Sequence, residues 1–295
     1  MMRNLRRDDL GRRFRDWRSR VEEATVQPKR AIDLYCGNAW SIIRELVKDS
    51  NLGDSLRIWV ASAGHGLLSL DDKLTAYDAT FVSGQVDSVI PPELSRHSVT
   101  EWWDLLAENR RKQGADVARI ANIAERYPQD PLLVVVSNNY LKAIAHDIEL
   151  AQGMMADADK LVIIAVGAPK TGKLADNYLP CDARLENIFG RSRSALNSRI
   201  LKLILTDFRT GDLRSSHLKG YFEELLAILP KADYPQRQSS DDGTVCEFIR
   251  KNLKINQRGS YSNFLRLYRA TGRACEQKRF RRLFRKVFAA FKKGD

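Results

Sequence analysis

Residues 132–166 read LLVVVSNNYLKAIAHDIELAQGMMADADKLVIIAV. Two short runs rich in Val, Ile and Leu, Leu132–Ser137 and Lys160–Val166, enclose a helical pattern at Tyr140–Leu150. Strands that are apolar on both faces and separated by a helix are typical of a parallel sheet covered on both sides. The stretch therefore predicts a β–α–β unit.

The same alternation extends over residues 31–230. Further strands are predicted at Ala31–Cys36 and Leu56–Ala63. Helical patterns occupy Asn38 to about Lys48, Val99 to about Tyr127 with a break near Gly114, Arg193–Leu205 and Ser215–Leu229. The predicted fold class is α/β, with a mainly parallel sheet covered by helices, and ligands of such folds bind at the carboxyl ends of the strands.

The composition of the chain is that of a globular protein. It has 295 residues, of which 43% are hydrophobic and 29% charged, enough for one large domain or two ordinary ones. We predict a basic N-terminal arm at 1–30, an α/β catalytic domain at 31–230, a linker at 231–243 and a basic helical domain at 244–295. Phe14, Trp17 and Val21 in the arm have helical spacing, which fits either a peripheral helix packed on the core or a second phosphate-contacting element.

The positive charge of the chain is concentrated at its C-terminal end. Residues 244–295 hold 15 Lys/Arg against three acids, which equals the +12 net charge of all 295 residues. Helices are predicted at Val245–Leu253, Ser260–Arg269 and Ala274–Phe291, with a turn at Thr271–Arg273. A helix, a glycine turn and a basic helix in this order indicate a helix-turn-helix-like nucleic-acid-binding domain.

The third of these helices carries the predicted DNA contacts. Its apolar residues recur at three and four, and cations occupy the other positions: Lys278, Arg279, Arg281, Arg282, Arg285 and Lys286. The alternative is an ordinary basic surface on a three-helix bundle. Phosphate contacts alone would explain these cations, so they predict no preferred DNA sequence.

Several protein classes are disfavoured by the composition. No apolar run approaches the roughly 20 residues that span a bilayer, and the Arg-rich N-terminus lacks the apolar core of a secretory signal. The four cysteines are scattered, which favours a reducing cytoplasm, and neither they nor the four isolated histidines predict a metal site. No cofactor is expected. Gly167–Lys173 matches a phosphate-binding loop, but Leu174 stands where the magnesium-binding Ser or Thr is needed.

The stretch Leu56–Phe81, LRIWVASAGHGLLSLDDKLTAYDATF, resembles the signature of YaaA-like proteins, in which a strand ends in Ser-Ala-Lys-x-Gly-Leu before a Pro-Tyr-Asp-type segment. Gly64 and Ala76 stand where that pattern has Lys and Pro. Together with 33–35, 179–184, 190–199 and the basic tail, the stretch resembles the DpdC family of bacterial 7-deazaguanine DNA modification systems.

This resemblance implies an activity. DpdC-like proteins are associated with hydrating the nitrile of 7-cyano-7-deazaguanine, which a transglycosylase partner has inserted in DNA, to the 7-amido base. Metal-dependent nitrile hydratases use clustered cysteines, which this sequence lacks, so the implied route is metal-independent. The target base would be flipped out of a duplex at a cost of a few kcal/mol. The expected partners are DNA and the transglycosylase, with no membrane.

Candidate catalytic residues for this chemistry lie in the first two predicted strands or in the segments that follow them: Asp33, Cys36, Ser62, His65 and Asp78. Asp33 is a possible general base or a helix-capping carboxylate, and Cys36 is a possible nucleophile or a small core residue. His65 could donate a proton or hydrogen-bond a turn. A well-positioned acid or base contributes about 10²–10⁴-fold to a rate.

Candidate substrate-binding residues are Tyr77, Ser137, Asn138, Asp182, Arg184, Arg193 and Asn197. Tyr77, with Asp78, could stack on and read a purine-like ring or cap a turn, and Ser137 and Asn138 could contact a base edge or a phosphate. Asp182 and Arg184 could bind substrate or simply form a salt bridge with each other. Arg193 and Asn197 are four residues apart and could share a helix face that reads a base or clamps a phosphate.

Two other functions stay open at this stage. One is a non-catalytic DNA-binding stress or regulatory protein of the YaaA-like class, and the other is a base-excising enzyme or nuclease.

Overall fold

The computed structural model describes residues 2–49, 51–52, 56–168, 171–190, 193–208, 212–230, 238–257 and 259–292. The chain divides into two compact units, Met1–Ala232 and Asp233–Asp295. The N-terminal unit is mixed α/β, with its helices at α1 (Leu10–Glu22), α2 (Ala31–Leu34), α3 (Asn38–Lys48), α4 (Val99–Lys112), α5 (Ile120–Arg126), α6 (Asn138–Met154), α7 (Glu186–Phe189), α8 (Arg193–Asp207) and α9 (Ser215–Ile228). Its strands are β1 (Lys29–Arg30), β2 (Trp59–Ser62), β3 (Gly66–Ser69), β4 (Lys73–Leu74), β5 (Leu132–Val135) and β6 (Leu161–Ile164).

The predicted β–α–β unit is confirmed. β5 and β6 pair in parallel, with Leu132 opposite Leu161 and Val135 opposite Ile164, and α6 connects them. All four residues of β6 are completely buried. Leu161 and Ile163 pack in the main core, and Val162 and Ile164 pack in a second core formed with α8 and α9. Both faces of the strand are buried, which explains why the run is apolar throughout.

The predicted mainly parallel sheet differs from the strand pairing of the described residues. Those residues form two-stranded ladders, of which β1–β4 and β2–β3 are antiparallel and β5–β6 is parallel. The Leu56–Ala63 run enters a hairpin, because the chain turns at 63–65 and Gly66, at φ 81°, starts the returning strand. A short apolar run specifies a strand but not its partner, and here the nearest partner in sequence is the next strand.

The predicted strand at Ala31–Cys36 is wrong, since residues 31–34 form α2. The amides of Ala31 and Ile32 donate to the carbonyls of Asp72 and Leu70, and Tyr35 closes the helical turn by donating to Ala31. Periodicity cannot separate a buried strand from a helical turn in so short a run. The predicted helix break is confirmed, because Gly114 lies at φ 80° between α4 and α5.

The N-terminal arm is part of the first unit. Asp9 caps α1 by accepting a hydrogen bond from the amide of Arg12 at 2.7 Å. Phe14 and Trp17 are buried, and the Phe14 ring meets Trp102 edge-on at 5.2 Å. Of the two alternatives for the arm, the structure therefore shows the helix packed on the core. Residues 1–30 belong to the same compact unit as the residues that follow them, so the predicted boundary at residue 30 does not separate two units.

The C-terminal unit is helical, with α10 (Asp242–Ile255), α11 (Tyr261–Ala270) and α12 (Gln277–Phe291) packed on one apolar core. Residues 231–237 of the predicted linker lie outside the described residues, and the rest belongs to this unit. Strand β7 (Gln238–Ser239) pairs in parallel with β8 (Arg273–Ala274), and Asp241 caps α10. The connection from α11 to α12 spans 271–276, which is longer than the three or four residues of a helix-turn-helix turn.

Candidate functional site

A chain of three hydroxyl groups lies at the end of β2. The Ser62 hydroxyl is 2.7 Å from that of Tyr77, and Tyr77 is 2.8 Å from Tyr35. The Ser62 oxygen also accepts hydrogen bonds from the amides of Gly64 at 3.2 Å and His65 at 3.0 Å. We call Tyr35, Ser62, Tyr77 and the adjacent His65 the hydroxyl cluster.

The turn that carries this cluster is held by two buried indoles. Trp17 donates to the carbonyl of Gly64 at 2.8 Å, and Trp102 donates to that of Ala63 at 2.9 Å. A Cβ atom on Gly64 would lie 2.6 Å from the Tyr77 ring and 2.9 Å from the Trp17 ring. The lysine of the YaaA-like pattern has no room here, so the Tyr77 ring explains the glycine.

His65 packs edge-on against Tyr77, with ring centroids 4.9 Å apart. Burial, with the nearby charges of Arg18 and Arg110, lowers the pKa of His65 to about 4, and a hydrogen bond with the Thr75 backbone opposes this shift. Its Nε2 atom is buried without a hydrogen-bond partner within the described residues. At neutral pH the ring is therefore uncharged and has a free nitrogen.

Tyr35 and Tyr140 were missed as candidates from the sequence. The Tyr35 ring stacks on Trp40 with centroids 4.7 Å apart, and the Tyr140 ring meets Phe81 edge-on at 5.0 Å. Burial raises the pKa of Tyr35, Tyr77 and Tyr140, so these phenols are neutral donors at physiological pH. The available signal was their position near the carboxyl ends of the predicted strands Ala31–Cys36 and Leu132–Ser137.

Three predicted catalytic residues lie outside this hydrogen-bonded chain. Asp33 is exposed and accepts a hydrogen bond from Arg30 at 2.8 Å. Cys36 is also exposed, as is the Asp78 side chain beside Tyr77. Of the five predicted catalytic residues, the structure brings Ser62 and His65 together with the predicted base-reading Tyr77.

Asn197 connects the ends of the two parallel strands. It donates to the carbonyl of Val136 at 2.7 Å and accepts from the amide of Val166 at 3.1 Å. Arg193 instead extends from the start of α8 as an exposed side chain and pairs with Glu186 at 3.0 Å. The two side chains therefore have different partners: Asn197 bonds to the strand ends, and Arg193 pairs with Glu186 at the surface.

Ser137 and Asn138 begin α6 after β5. Ser137 is exposed and makes no capping hydrogen bond with its side chain. Asn138 donates to the carbonyl of Gly167 at 3.1 Å, while its Oδ1 atom is buried without a partner among the described residues. Asn138 thus links the ends of the same two strands and retains a free acceptor.

Asp182 and Arg184 form the local ion pair that the sequence offered as an alternative. Their closest contact is 2.7 Å, and Arg184 also donates to the carbonyl of Leu226 at 2.8 Å. Both residues line a cavity of about 380 Å³ together with Gly167, Cys181 and Glu223. This cavity does not include the hydroxyl cluster.

Two further findings concern the described part of the chain. It contains no group of three or more His, Cys, Asp or Glu side chains that could hold a metal ion. None of its helices has both the length and the apolar character needed to cross a membrane.

The cations of α12 form an exposed face. Phe280, Leu283, Phe284 and Val287 are buried in the core of the C-terminal unit. The exposed cations of α12, which we call the cationic face, are Lys278, Arg281, Arg282, Arg285 and Lys286. Arg279 is turned toward α10 and pairs with Asp242 at 2.6 Å.

Acidic groups neutralise little of the cationic face. Arg282 lies 3.4 Å from Asp242, a carboxylate that it shares with Arg279. Arg281 lies 5.3 Å from the centre of the Tyr261 ring. Lys278, Arg285 and Lys286 make no ion pair with any residue that the structure describes, so their charges are available to a partner.

No family model, curated protein or solved structure matches this chain. The resemblance to DpdC and YaaA-like proteins therefore remains a prediction that rests on the quoted motifs.

Proposed function

We propose that this protein binds DNA through the cationic face of α12 and modifies a 7-deazaguanine base in that DNA. The observation that carries the proposal is the division of α12 into one buried apolar stripe and one exposed row of five cations. Such a row attracts a polyanion, because each neutralised phosphate releases condensed counterions.

The arrangement of α11 and α12 supports a helix-turn-helix-like binding mode. A helix about 10–12 Å wide fits a major groove about 12 Å wide, and the exposed half of α12 carries most of its cations. The long connection at 271–276 makes this a variant of the motif. In the proposed mode α12 lies in the major groove, into which a 7-substituent of a deazaguanine projects.

Removing three unpaired cations should weaken DNA binding strongly. We expect the Lys278→Ala, Arg285→Ala, Lys286→Ala triple variant to lower DNA affinity about 10–100-fold and to reduce the slope of log K against log salt by up to about 2.7. Fluorescence anisotropy with a labelled duplex at several salt concentrations measures both quantities.

The matched control removes the same charge from another helix of the same unit. Arg250, Lys251 and Lys254 are exposed on α10, and their triple alanine variant should keep most of the affinity and slope. Equal losses in the two triple variants would mean that diffuse charge attracts DNA, and the assignment to α12 would be wrong.

The proposed reaction is hydration of the nitrile of 7-cyano-7-deazaguanine in DNA. The water oxygen bonds to the nitrile carbon, one C–N π bond breaks, and the nitrogen gains a proton. Transfer of the remaining hydroxyl proton to nitrogen completes the amide, so the base gains one water. The observation that favours this reaction is the cluster of uncharged donors around Ser62 and Tyr77.

Roles for individual residues follow from their environment. Tyr35 and Tyr77 stay protonated at neutral pH because burial raises the pKa of each, and their phenols are the proposed donors to the nitrile nitrogen. The exposed carboxylates of Asp33 and Asp78 can accept the proton of the attacking water. The proposal places the enzyme in the cytoplasm beside the transglycosylase that inserts the cyano base.

A mass measurement tests the reaction. Duplex DNA carrying the cyano base is incubated with the protein and digested to nucleosides, and we expect a mass gain of one water. Ser62→Ala should slow this gain about 10-fold or more because it disorders the cluster. If the wild-type protein binds the duplex but the mass does not change, the non-catalytic DNA-binding function replaces the enzymatic one.

A further inference from the structure

A cavity of about 340 Å³ lies between α3, α7 and α8 in the N-terminal unit. Three apolar side chains line it, those of Ile42, Phe189 and Leu203, and so do two cations, Arg199 and Lys202. Its volume is within the range of small-molecule sites. The residues given roles in the proposed reaction lie elsewhere, so this cavity needs an explanation of its own.

Backbone carbonyl groups hold one nitrogen of the Arg199 side chain. Its Nη1 atom donates to the carbonyls of Phe189 and Gly190 at the end of α7, the second at 3.0 Å. Gly190 has φ 85°, and a Cβ atom there would lie 3.3 Å from Nη1, so glycine permits this close approach. The guanidinium group is therefore positioned before any ligand binds.

The rest of this guanidinium group is unused. Within the described part of the chain, the Nε and Nη2 atoms of Arg199 make no hydrogen bond and its charge makes no ion pair. Adjacent N–H groups in a fixed fork match the oxygens of an anionic group. Because carbonyl groups carry no net charge, the two that hold Nη1 leave the positive charge of Arg199 available to an anion.

Lys202 supplies a second cation three residues along α8. Its Nζ atom pairs with Glu45 at 2.8 Å, and both side chains are about half exposed. An ammonium group has three donors, so this pair leaves two of them for a ligand. Glu45 does not line the cavity, and Arg199 and Lys202 are the only charged side chains that do so among the described residues.

We infer that this cavity binds a phosphate group between the guanidinium fork of Arg199 and the ammonium group of Lys202. A phosphate monoester carries close to two negative charges and three acceptor oxygens, which suits two cations. The apolar walls can pack against the group that carries the phosphate. That phosphate belongs to a free nucleotide or to a DNA backbone, and the inference does not depend on the proposed reaction.

Calorimetric titration of the full-length protein with dGMP and with inorganic phosphate tests the site. Arg199→Gln should lower the affinity for dGMP about 10–100-fold, because it removes hydrogen bonds to a charged group. Arg199→Lys keeps the charge without the fork and should lose less. Lys202→Gln should lower the affinity about 3–10-fold, and it leaves the contacts of Arg199 with α7 in place if the Arg199 variants fold poorly.

Arg126→Gln is the matched control. Arg126 is an exposed cation of the same unit, outside the cavity, and pairs with Asp116 at 3.6 Å. This variant should keep the wild-type affinity for dGMP. An equal loss in Arg126→Gln and Arg199→Gln would mean that diffuse charge attracts the ligand, which would overturn the inference.

Duplex binding at several salt concentrations identifies the source of the phosphate. If the cavity takes a backbone phosphate, Arg199→Gln should reduce the slope of log K against log salt by about 0.9. If it takes a free nucleotide, only the affinity for dGMP should change. The inference is overturned if neither quantity depends on Arg199 and Lys202, and that result would leave the assignment of DNA binding to α12 untouched.

Discussion

Replacement of Arg13 by methionine is expected to lower the free energy of unfolding by about 4 kcal/mol, which is close to the cost of removing one partner from a buried charged network. Arg13 is 1% exposed. Its guanidinium group donates to five backbone carbonyls, those of Met2, Leu5, Arg6, Ser88 and Val89, at 2.8–3.2 Å. It therefore connects the N-terminal segment to the 88–89 turn.

The size of this effect comes from the acceptors that would be left unpaired. Each buried carbonyl without a donor costs about 1–3 kcal/mol, although relaxation and water recover part of the total. Burial lowers the pKa of Arg13 to about 10, which still leaves it charged at neutral pH. Lysine has three donors against five for arginine, so Arg13→Lys should recover only part of the stability.

Urea unfolding followed by tryptophan fluorescence measures the change, because Trp17 and Trp102 lie in the same core. Arg12→Met is the control, since Arg12 is an exposed neighbour in α1 and its loss should cost less than about 0.5 kcal/mol. A cost below about 1 kcal/mol for Arg13→Met would show that the five contacts contribute little.

Acidification from pH 6.5 to pH 4 should destabilise the N-terminal unit by up to about 3 kcal/mol through His65 alone. Burial lowers the pKa of His65 to about 4 in the folded protein, against about 6.5 in the unfolded chain. Between these values the unfolded chain binds a proton that the folded protein does not. Stability from this residue is therefore fully present above pH 6.5 and is lost as the pH falls toward 4.

The residues around His65 support this sign. Arg18 and Arg110 both disfavour a second positive charge, and Arg110 is held by its ion pair with Asp72 at 2.7 Å. Tyr77, which packs against the imidazole, stays neutral in this range because burial raises its pKa. Among the residues that the structure describes, no group in contact with the ring therefore offers a compensating negative charge at its free Nε2.

His65→Gln removes the titrating group, so its unfolding free energy should depend less steeply on pH in this window. The measurement is urea unfolding at half-unit pH steps, with His146→Gln as the control because His146 is exposed on α6. Parallel pH profiles for wild type and His65→Gln would contradict the buried, uncharged state of His65.

The sequence by itself determined the elements whose signal is local. The β5–α6–β6 unit follows from two apolar runs around a helical pattern, and the break at Gly114 follows from a residue that adopts positive φ without strain. The amphipathic helix α12 follows from apolar residues that recur every three or four positions, a pattern that does not depend on distant contacts. In these cases the signal lies in the residues of the element itself.

Tertiary structure decided the elements and sites that depend on distant partners. Residues 31–34 form a helix whose first amides donate to the carbonyls of residues 70 and 72. The arm at 1–30 packs on the core because Arg13 and Trp17 donate to backbone carbonyls of turns far along the chain. Hydrogen bonds join Ser62, Tyr77 and Tyr35 across 42 residues, whereas Arg193 and Asn197 have different partners although they are one helical turn apart. Packing across the whole unit decides which groups a side chain can hydrogen-bond. Such contacts produce no periodic pattern in the sequence, so sequence reasoning could not predict them.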